Sequence, residues 1–207
     1  MHSSAPPHNK RRVVRASRPS GVRMAPRRCG APLALVLWCA ATAAAEVTIR
    51  DPGTFVVDQA GVMTSADRAK VEGWLRELEQ KTGAQVKILT AASTDGEDAF
   101  QFGHRHAELW KLGRKGKDNG ALIVLIPKSS HQRGHIFVHT GYGLESIMPD
   151  SWCGSLSRSI RDRYFRAGRY SAGLTQMAGS IANRVAKAAG VTLSGVPVVR
   201  YQPRHGD

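Results

Sequence analysis

The sequence predicts an α/β fold, a central mixed sheet of about four strands flanked by helices on both faces. Three observations carry this. Ala121 to Ile126 is six apolar residues with no polar interruption, bounded by Gly120 and Pro127. That is the pattern of a strand buried on both faces, which needs a covering layer on each side. The flanking segments alternate between strand and helix patterning in the order β-α-β-α-β-β-α-α, which favours a layered α/β arrangement. The apolar runs 121–126 and 135–139 are joined by the polar, turn-rich stretch 127–134, so the last two strands pair antiparallel and the sheet is mixed.

Taken in order, Phe55–Asp58 is a short extended piece, and Asp58 to Gly61 is a turn. Thr64 is placed as an N-cap, with Asp67 three residues on in the manner of a capping box. The helix that follows runs to about Lys81. Val71, Trp74, Leu75 and Leu78 give it one apolar stripe, and Gly83 closes it. Ala84–Thr90 is a strand. Asp98 to Leu112 is a helix carrying Phe102, His106 and Trp110, ended by Gly113. The loop RKGKDNG leads into the central strand, and His135–His139 is the next strand, broken by Gly141-Tyr142-Gly143. The Met148-Pro149-Asp150 corner opens a helix with Asp150 as its N-cap. Ala167-Gly168 breaks that helix. A last helix, about Ser171 to Ala189, keeps a strict helical period through Leu174, Met177, Ala178, Ile181, Ala182 and Val185. Residues 191–207 hold Pro197 and Pro203 and no periodicity, and are expected to be a loosely held tail.

The formal charge of +14 is unevenly spread. Eight of the 30 basic residues fall in residues 1–45, which contain no acid, leaving 22 basic against all 16 acidic residues beyond. The high charge belongs to the leader, so it does not argue for nucleic-acid binding. That leader has a basic segment ending at Arg27-Arg28, an apolar stretch from Ala31 to Ala41 and the small residues Ala43-Ala44-Ala45. This is the plan of a secretory signal peptide cleaved near Ala45, too short to span a bilayer. Met24–Ala45 alone has ordinary signal-peptide length, so Met24 is an alternative start. The expected organisation is a leader (1–45), one domain (46–190) and a tail (191–207). Only Cys153 lies beyond the leader, so the domain must hold without an intramolecular disulfide. The product is expected to be periplasmic or secreted, soluble and monomeric. A chloroplast thylakoid lumen or an uncleaved anchor is the alternative.

Asp58, Asp118, Asn119, Glu145 and Asp150 fall at strand ends or loops. If those ends shared one rim of the sheet, several carboxylates would converge with no matching base. Such a cluster repels itself unless a cation binds, which would make a divalent oxygen-ligand site for Ca²⁺ or Mg²⁺. Arg114, Lys115 and Lys117 would attract phosphate. Carboxylates more than about 12 Å apart could not share one ion, whose ligands lie 2.0–2.6 Å from it. The plainer account makes Asp58 and Asp150 a turn and a cap and the lysines a solvated loop, and spacing alone favours it. His104 and His106, at i and i+2, do not share a helix face, and His135 and His139 are expected to be exposed edge residues. Cys153 has no phosphatase signature around it and is expected to be an inert thiol. GRKGKDNG lies between a helix and a strand, the wrong order for a P-loop, and no G-x-S-x-G occurs.

The segments FVVDQAGVMT (55–64), EQKTGAQVKILT (79–90), LWKLGRKGKDNGALIVLIP (109–127), HTGYGLESIMPD (139–150) and YFRAGRYSAGL (164–174) together resemble the TPM domain family, in its order and spacing. The resemblance covers about residues 54–189. It implies an exported or lumenal domain built as a three-layer α/β/α sandwich. It also implies two kinds of role: acid phosphatase activity, as in chloroplast relatives linked to photosystem II repair, or service as a membrane-protein accessory. By position, Asp58, the pair Asp118-Asn119, Glu145 and Asp150 match the family's acidic motifs. His139-Thr140 before GYG is a departure. Two expectations follow. One is a slow, metal-assisted phosphatase with Asp118 and Asn119 catalytic and Asp58, Asp118, Glu145 and Asp150 around the ion. The other is a non-catalytic binding or assembly factor for envelope or membrane proteins.

Overall fold

The computed structural model describes residues 46–197. The leader 1–45, with its predicted cleavage point, and the end of the tail, 198–207, lie outside the described residues. The elements are β1 (Val56–Asp58), α1 (Ser65–Thr82), β2 (Gln85–Thr90), α2 (Ala99–Leu109), β3 (Gly120–Ile126), β4 (His135–Thr140), α3 (Tyr142–Glu145), α4 (Asp150–Arg163), a 3₁₀ turn (Phe165–Ala167) and α5 (Tyr170–Ala188). The strands stand in the order β1-β2-β3-β4. β1, β2 and β3 run parallel, and β4 is antiparallel to β3. The predicted mixed four-stranded sheet is therefore present.

Every residue of β3 is buried, and strand alternation divides them between two cores. Ala121, Ile123 and Leu125 join Val86 and Ile88 against α1, α4 and α5. Leu122, Val124 and Ile126 join Leu89 against Phe102, Ala107 and Trp110 of the α2 layer. Fully burying a Leu or Ile side chain contributes roughly 1.5–3 kcal/mol, so this one strand stabilises both layers. The two faces are unequally covered. Beside α2, the second face is completed by an extended N-terminal strap in which Val47 and Ile49 pack on the core. The strap is held by Ile49 N–H donating to His106 Nε2 (3.0 Å) and by Trp110 Nε1–H donating to the Ile49 carbonyl (2.9 Å). Lys87, 9% exposed in the middle of β2, is paired with Asp51 of the strap at 2.6 Å. That pairing makes a cation tolerable between two apolar layers.

The helix ends follow local chemistry. Thr64 Oγ1 accepts from Asp67 N–H (3.1 Å), and Gly83 takes a left-handed conformation (φ 75°) as the C-cap of α1. The capping box closes through a third residue. Thr64 N–H donates to Ser171 Oγ (3.0 Å), whose hydroxyl donates to Asp67 Oδ2 (2.6 Å). That hydroxyl is the main cause holding the Asp67 carboxyl below its ordinary range. Asp98, read from the sequence as the start of the helix, is the N-cap of α2, and the helix ends at Leu109, earlier than its pattern suggests. Lys111 turns the chain there with a positive φ of 51°. At α4 the cap is Pro149, and Asp150 is the first helical residue. There it favours the helix dipole without capping a backbone N–H.

Two further segments depart from the sequence reading. A short helix, α3, forms where GYG reads only as a break. Residues 191–197 are held rather than loose. Lys81 Nζ donates to the Thr192 carbonyl (2.8 Å), Ser194 N–H donates to Glu77 Oε2 (2.9 Å), and Val196 is buried in the larger core. Polar handles on α1 tie down a segment that has no periodicity of its own.

Candidate functional site

The loop 113–119 and the GYG segment are built as one unit. Gly143 N–H donates to the Asp118 carbonyl (3.1 Å) and Gly141 N–H to the Gly120 carbonyl (2.8 Å). A Cβ at Gly143 would lie 1.9 Å from the Lys117 carbonyl oxygen, and one at Gly141 would lie 2.1 Å from that of Asp118. Neither position admits a side chain, so the two glycines serve close backbone approach. They set Asp118 in the left-handed region, φ 46°. An aspartate tolerates this better than most residues.

Asn119 is a structural residue. Its Oδ1 accepts from Arg114 N–H (2.9 Å), and its Nδ2 donates to the Gly83 carbonyl (2.9 Å). The side chain is buried and its amide is engaged at both ends, locking the loop to the end of α1. The predicted catalytic role in orienting phosphate is corrected accordingly. Gln85 helps in the same way, accepting from Gly113 N–H (2.8 Å).

The four predicted carboxylates do not converge. Asp58 ends β1, and through the sheet register it lies level with Thr90 and Leu125. Gly120, beside Asp118, is at the opposite end of β3. Five residues at about 3.3 Å rise separate the two levels by roughly 16 Å, which excludes a shared ion. The cause is strand direction: the end of a parallel strand and the start of its neighbour's neighbour lie on opposite rims. Asp58 is moreover fully engaged, accepting from Val62 and Met63 N–H (3.1 and 2.9 Å) and from the Thr90 hydroxyl (2.5 Å). Glu145 and Asp150 are exposed. Among the described residues, no group of three His, Cys, Asp or Glu side chains is arranged to hold a metal ion. The expected Ca²⁺ or Mg²⁺ cluster therefore does not fit, and no chemistry is routed through it. The Arg114 guanidinium lies over Gly83, where a Cβ would meet its Cζ at 3.1 Å. Lys115 and Lys117 are exposed on the loop.

Asp118 does line a cleft, of about 310 Å³, between α2 and the Gly120 rim of the sheet. Its other polar lining is His104, Glu108, Lys111, His139 and Tyr142. Lys111 and Asp118 are two of only three non-glycine residues with positive φ among those described. Such strain collects where surrounding structure holds a functional geometry. His104 Nδ1 stands 3.3 Å from His139 Nε2, and Glu108 Oε1 stands 3.4 Å from His104 Nε2. Burial first, then the neighbouring His104, holds the His139 imidazole below its ordinary range. The sequence reading set His104 aside and expected an exposed His139, which is half-buried, because the pair is formed between elements. The one available signal was His104 and Glu108 at i and i+4. Cys153 is buried away from this lining, its thiol pushed up to about 11 by desolvation, as expected of an inert thiol.

The chain is similar to several known proteins. The profile described as TPM domain matches residues 56–184. A chloroplastic UPF0603 protein of Oryza sativa subsp. indica is 29% identical over 84 residues, which is 40% of this chain and 27% of that relative. A counterpart in Oryza sativa subsp. japonica matches to the same extent. The chain thus aligns with about a quarter of the length of these curated relatives. Among solved structures, the N-terminal domain of a protein from P. gingivalis superposes with a TM-score of 0.57 at 29% identity, covering 67% of this chain and 85% of that one. A protein from the psychrophilic bacterium Bizionia argentinensis gives a TM-score of 0.49 at 16% identity over 60% of this chain and 82% of that one. No helix among the described residues is long and apolar enough to cross a membrane.

Proposed function

The chain belongs to the TPM domain family, and from that premise we propose that it is an exported domain that binds phosphorylated small molecules in the Asp118 cleft and hydrolyses phosphomonoesters slowly. The observation that carries this reading is that Asp118 and Lys111 line one cleft and each has a positive φ, Lys111 at the end of α2 and Asp118 in the loop braced by Asn119 and the GYG segment. In this reading the Lys111 ammonium attracts the phosphate dianion, and the Asp118 carboxylate orients an attacking water and accepts its proton. The Tyr142 hydroxyl would donate to a phosphate oxygen. The lining holds neither a cysteine nor a serine, so this reading assigns the attack to water. Export rests on the plan of the leader.

The test uses the purified full chain with p-nitrophenyl phosphate. Asp118→Asn is the informative variant, because asparagine accepts the left-handed conformation and only the charge is lost. A fall in kcat of at least tenfold with an unchanged Tm is expected. Absence of any turnover by the wild-type chain removes the catalytic part of the proposal. One observation favours a second reading, that of a binding factor: Tyr142, at the rim of the cleft, is 81% exposed, as an interface aromatic would be. On that reading Asp118→Asn leaves the cellular phenotype intact while Tyr142→Ala abolishes it.

A further inference from the structure

We propose that His104 of α2 and His139 of β4 form the core of a site for an imidazole-preferring divalent transition metal, of the Zn²⁺ class, in the wall of the same cleft. The inference does not rest on the phosphatase reading, because its two ligands, His104 and His139, take no part in that reading.

The first argument is geometric. The facing nitrogens, His104 Nδ1 and His139 Nε2, are 3.3 Å apart. Two nitrogens each about 2.0–2.1 Å from one ion are separated by this distance when they subtend an angle of about 105°, close to tetrahedral. The two rings are nearly perpendicular, at 73° with centroids 4.9 Å apart, so they meet edge to face and are not stacked. The second argument is the environment. Glu108 lies 3.4 Å from the outer nitrogen of His104. A carboxylate on the far side of a ligating imidazole fixes its tautomer and raises its basicity. With its proton on Nε2, the side where the Glu108 carboxylate stands 3.4 Å away, His104 leaves the Nδ1 lone pair facing His139.

On that His104 tautomer, His139 Nε2–H donates across the 3.3 Å gap to His104 Nδ1 in the metal-free protein, a long and weak bond. Metal uptake moves the His139 proton from Nε2 to Nδ1 by exchange with water, so both rings stay neutral and no oxidant or reductant is needed. The third argument is charge. Glu108, Asp118 and Lys111 are the charged residues of the lining, leaving one net negative charge in the cleft. The cleft opens to solvent and supplies an entry path, with the remaining coordination positions left to water. Two protein nitrogens with open positions describe an exchangeable site, in contrast to a closed structural zinc.

Isothermal titration of the purified full chain, free of any polyhistidine tag, with ZnCl₂ at pH 7.5 is the direct test. One equivalent should bind, with affinity falling at least tenfold in each of His104→Ala and His139→Ala. Glu108→Gln should weaken binding about tenfold, as loss of an outer-shell partner does. His135→Ala, on the same strand, should leave it unchanged. Because an alanine variant could perturb packing, histidine side-chain ¹⁵N shifts of the wild-type chain are followed as well. Zn²⁺ should move His104 Nδ1 and His139 Nε2 and leave buried His106 unaffected. Absence of zinc binding by the wild-type chain overturns the proposal, as does binding that is equally strong in both alanine variants or shifts confined to other histidines. Hydrolysis is not read in these experiments, so failure of the phosphatase reading leaves their outcome standing.

Discussion

Gly143 shows how little freedom a single position has when two loops are stitched backbone to backbone. A Cβ there meets a carbonyl oxygen at 1.9 Å, and no rotamer relieves a clash with main chain. Gly143→Ala must part GYG from the 117–118 loop, breaking the bond from Gly143 N–H to Asp118 and withdrawing support for its left-handed backbone. A destabilisation of about 2–4 kcal/mol is expected, in the range of overpacking combined with a lost buried hydrogen bond. Urea unfolding measures it, and hydrolysis by the surviving folded fraction should fall too. A stability within about 0.5 kcal/mol of wild type, the usual range for surface substitutions, would show that the two loops separate freely. Asn119 makes the complementary point. It stands beside the cleft residue in sequence, yet its amide is consumed in holding the loop.

At the scale of elements, the N-terminal strap is anchored on a titratable side chain. Its Ile49 N–H donates to His106 Nε2, while His106 Nδ1–H donates to the Phe102 carbonyl (2.7 Å). The ring is therefore held neutral in one tautomer, and desolvation, aided by the Arg105 charge and opposed by the Phe102 hydrogen bond and Glu97, leaves it below the ordinary histidine range. Above about pH 6.5 the ring is neutral in both folded and unfolded chains, and its contribution to stability is complete. As pH falls below that value, the unfolded chain takes up a proton that the native chain refuses. Stability then declines until the native ring itself protonates. His139, also shifted downward, adds a slope of the same sign. The urea midpoint should accordingly drop between pH 7.5 and pH 5.5, with faster amide exchange at Ile49, and His106→Gln should flatten that slope. An unchanged slope in the variant would remove His106 as its source.

For the whole molecule, the sheet separates two acidic residues that look equivalent in sequence. Asp58 is buried at one rim and accepts three hydrogen bonds, while Asp118 is exposed at the other and opens on the cleft. Asp58→Ala leaves buried N–H groups and a hydroxyl without their acceptor and should cost about 2–4 kcal/mol, with kcat of the folded protein within twofold of wild type. Asp118→Asn should do the reverse. Parallel chemical denaturation and phosphatase assays on the two variants read this crossing. A loss of kcat in Asp58→Ala equal to that in Asp118→Asn would mean that the two ends of the sheet are coupled.

Much of this molecule was legible in the chain because it is governed by local rules. The unbroken apolar run of β3 could be satisfied only between two layers, the stripe of α1 needed one buried face, and Thr64, Gly83 and Asp98 end helices by contacts within a few residues. The acidic motifs that carry the family resemblance were equally visible, but their grouping was not. Asp58 ends one strand and Asp118 precedes another that runs parallel to it in the same sheet, so the two stand on opposite rims. The strap, the held segment 191–197 and the pairing of His104 with His139 were also decided only in three dimensions. Each is made by a polar group on one element meeting another distant in sequence, where no period or spacing registers the contact.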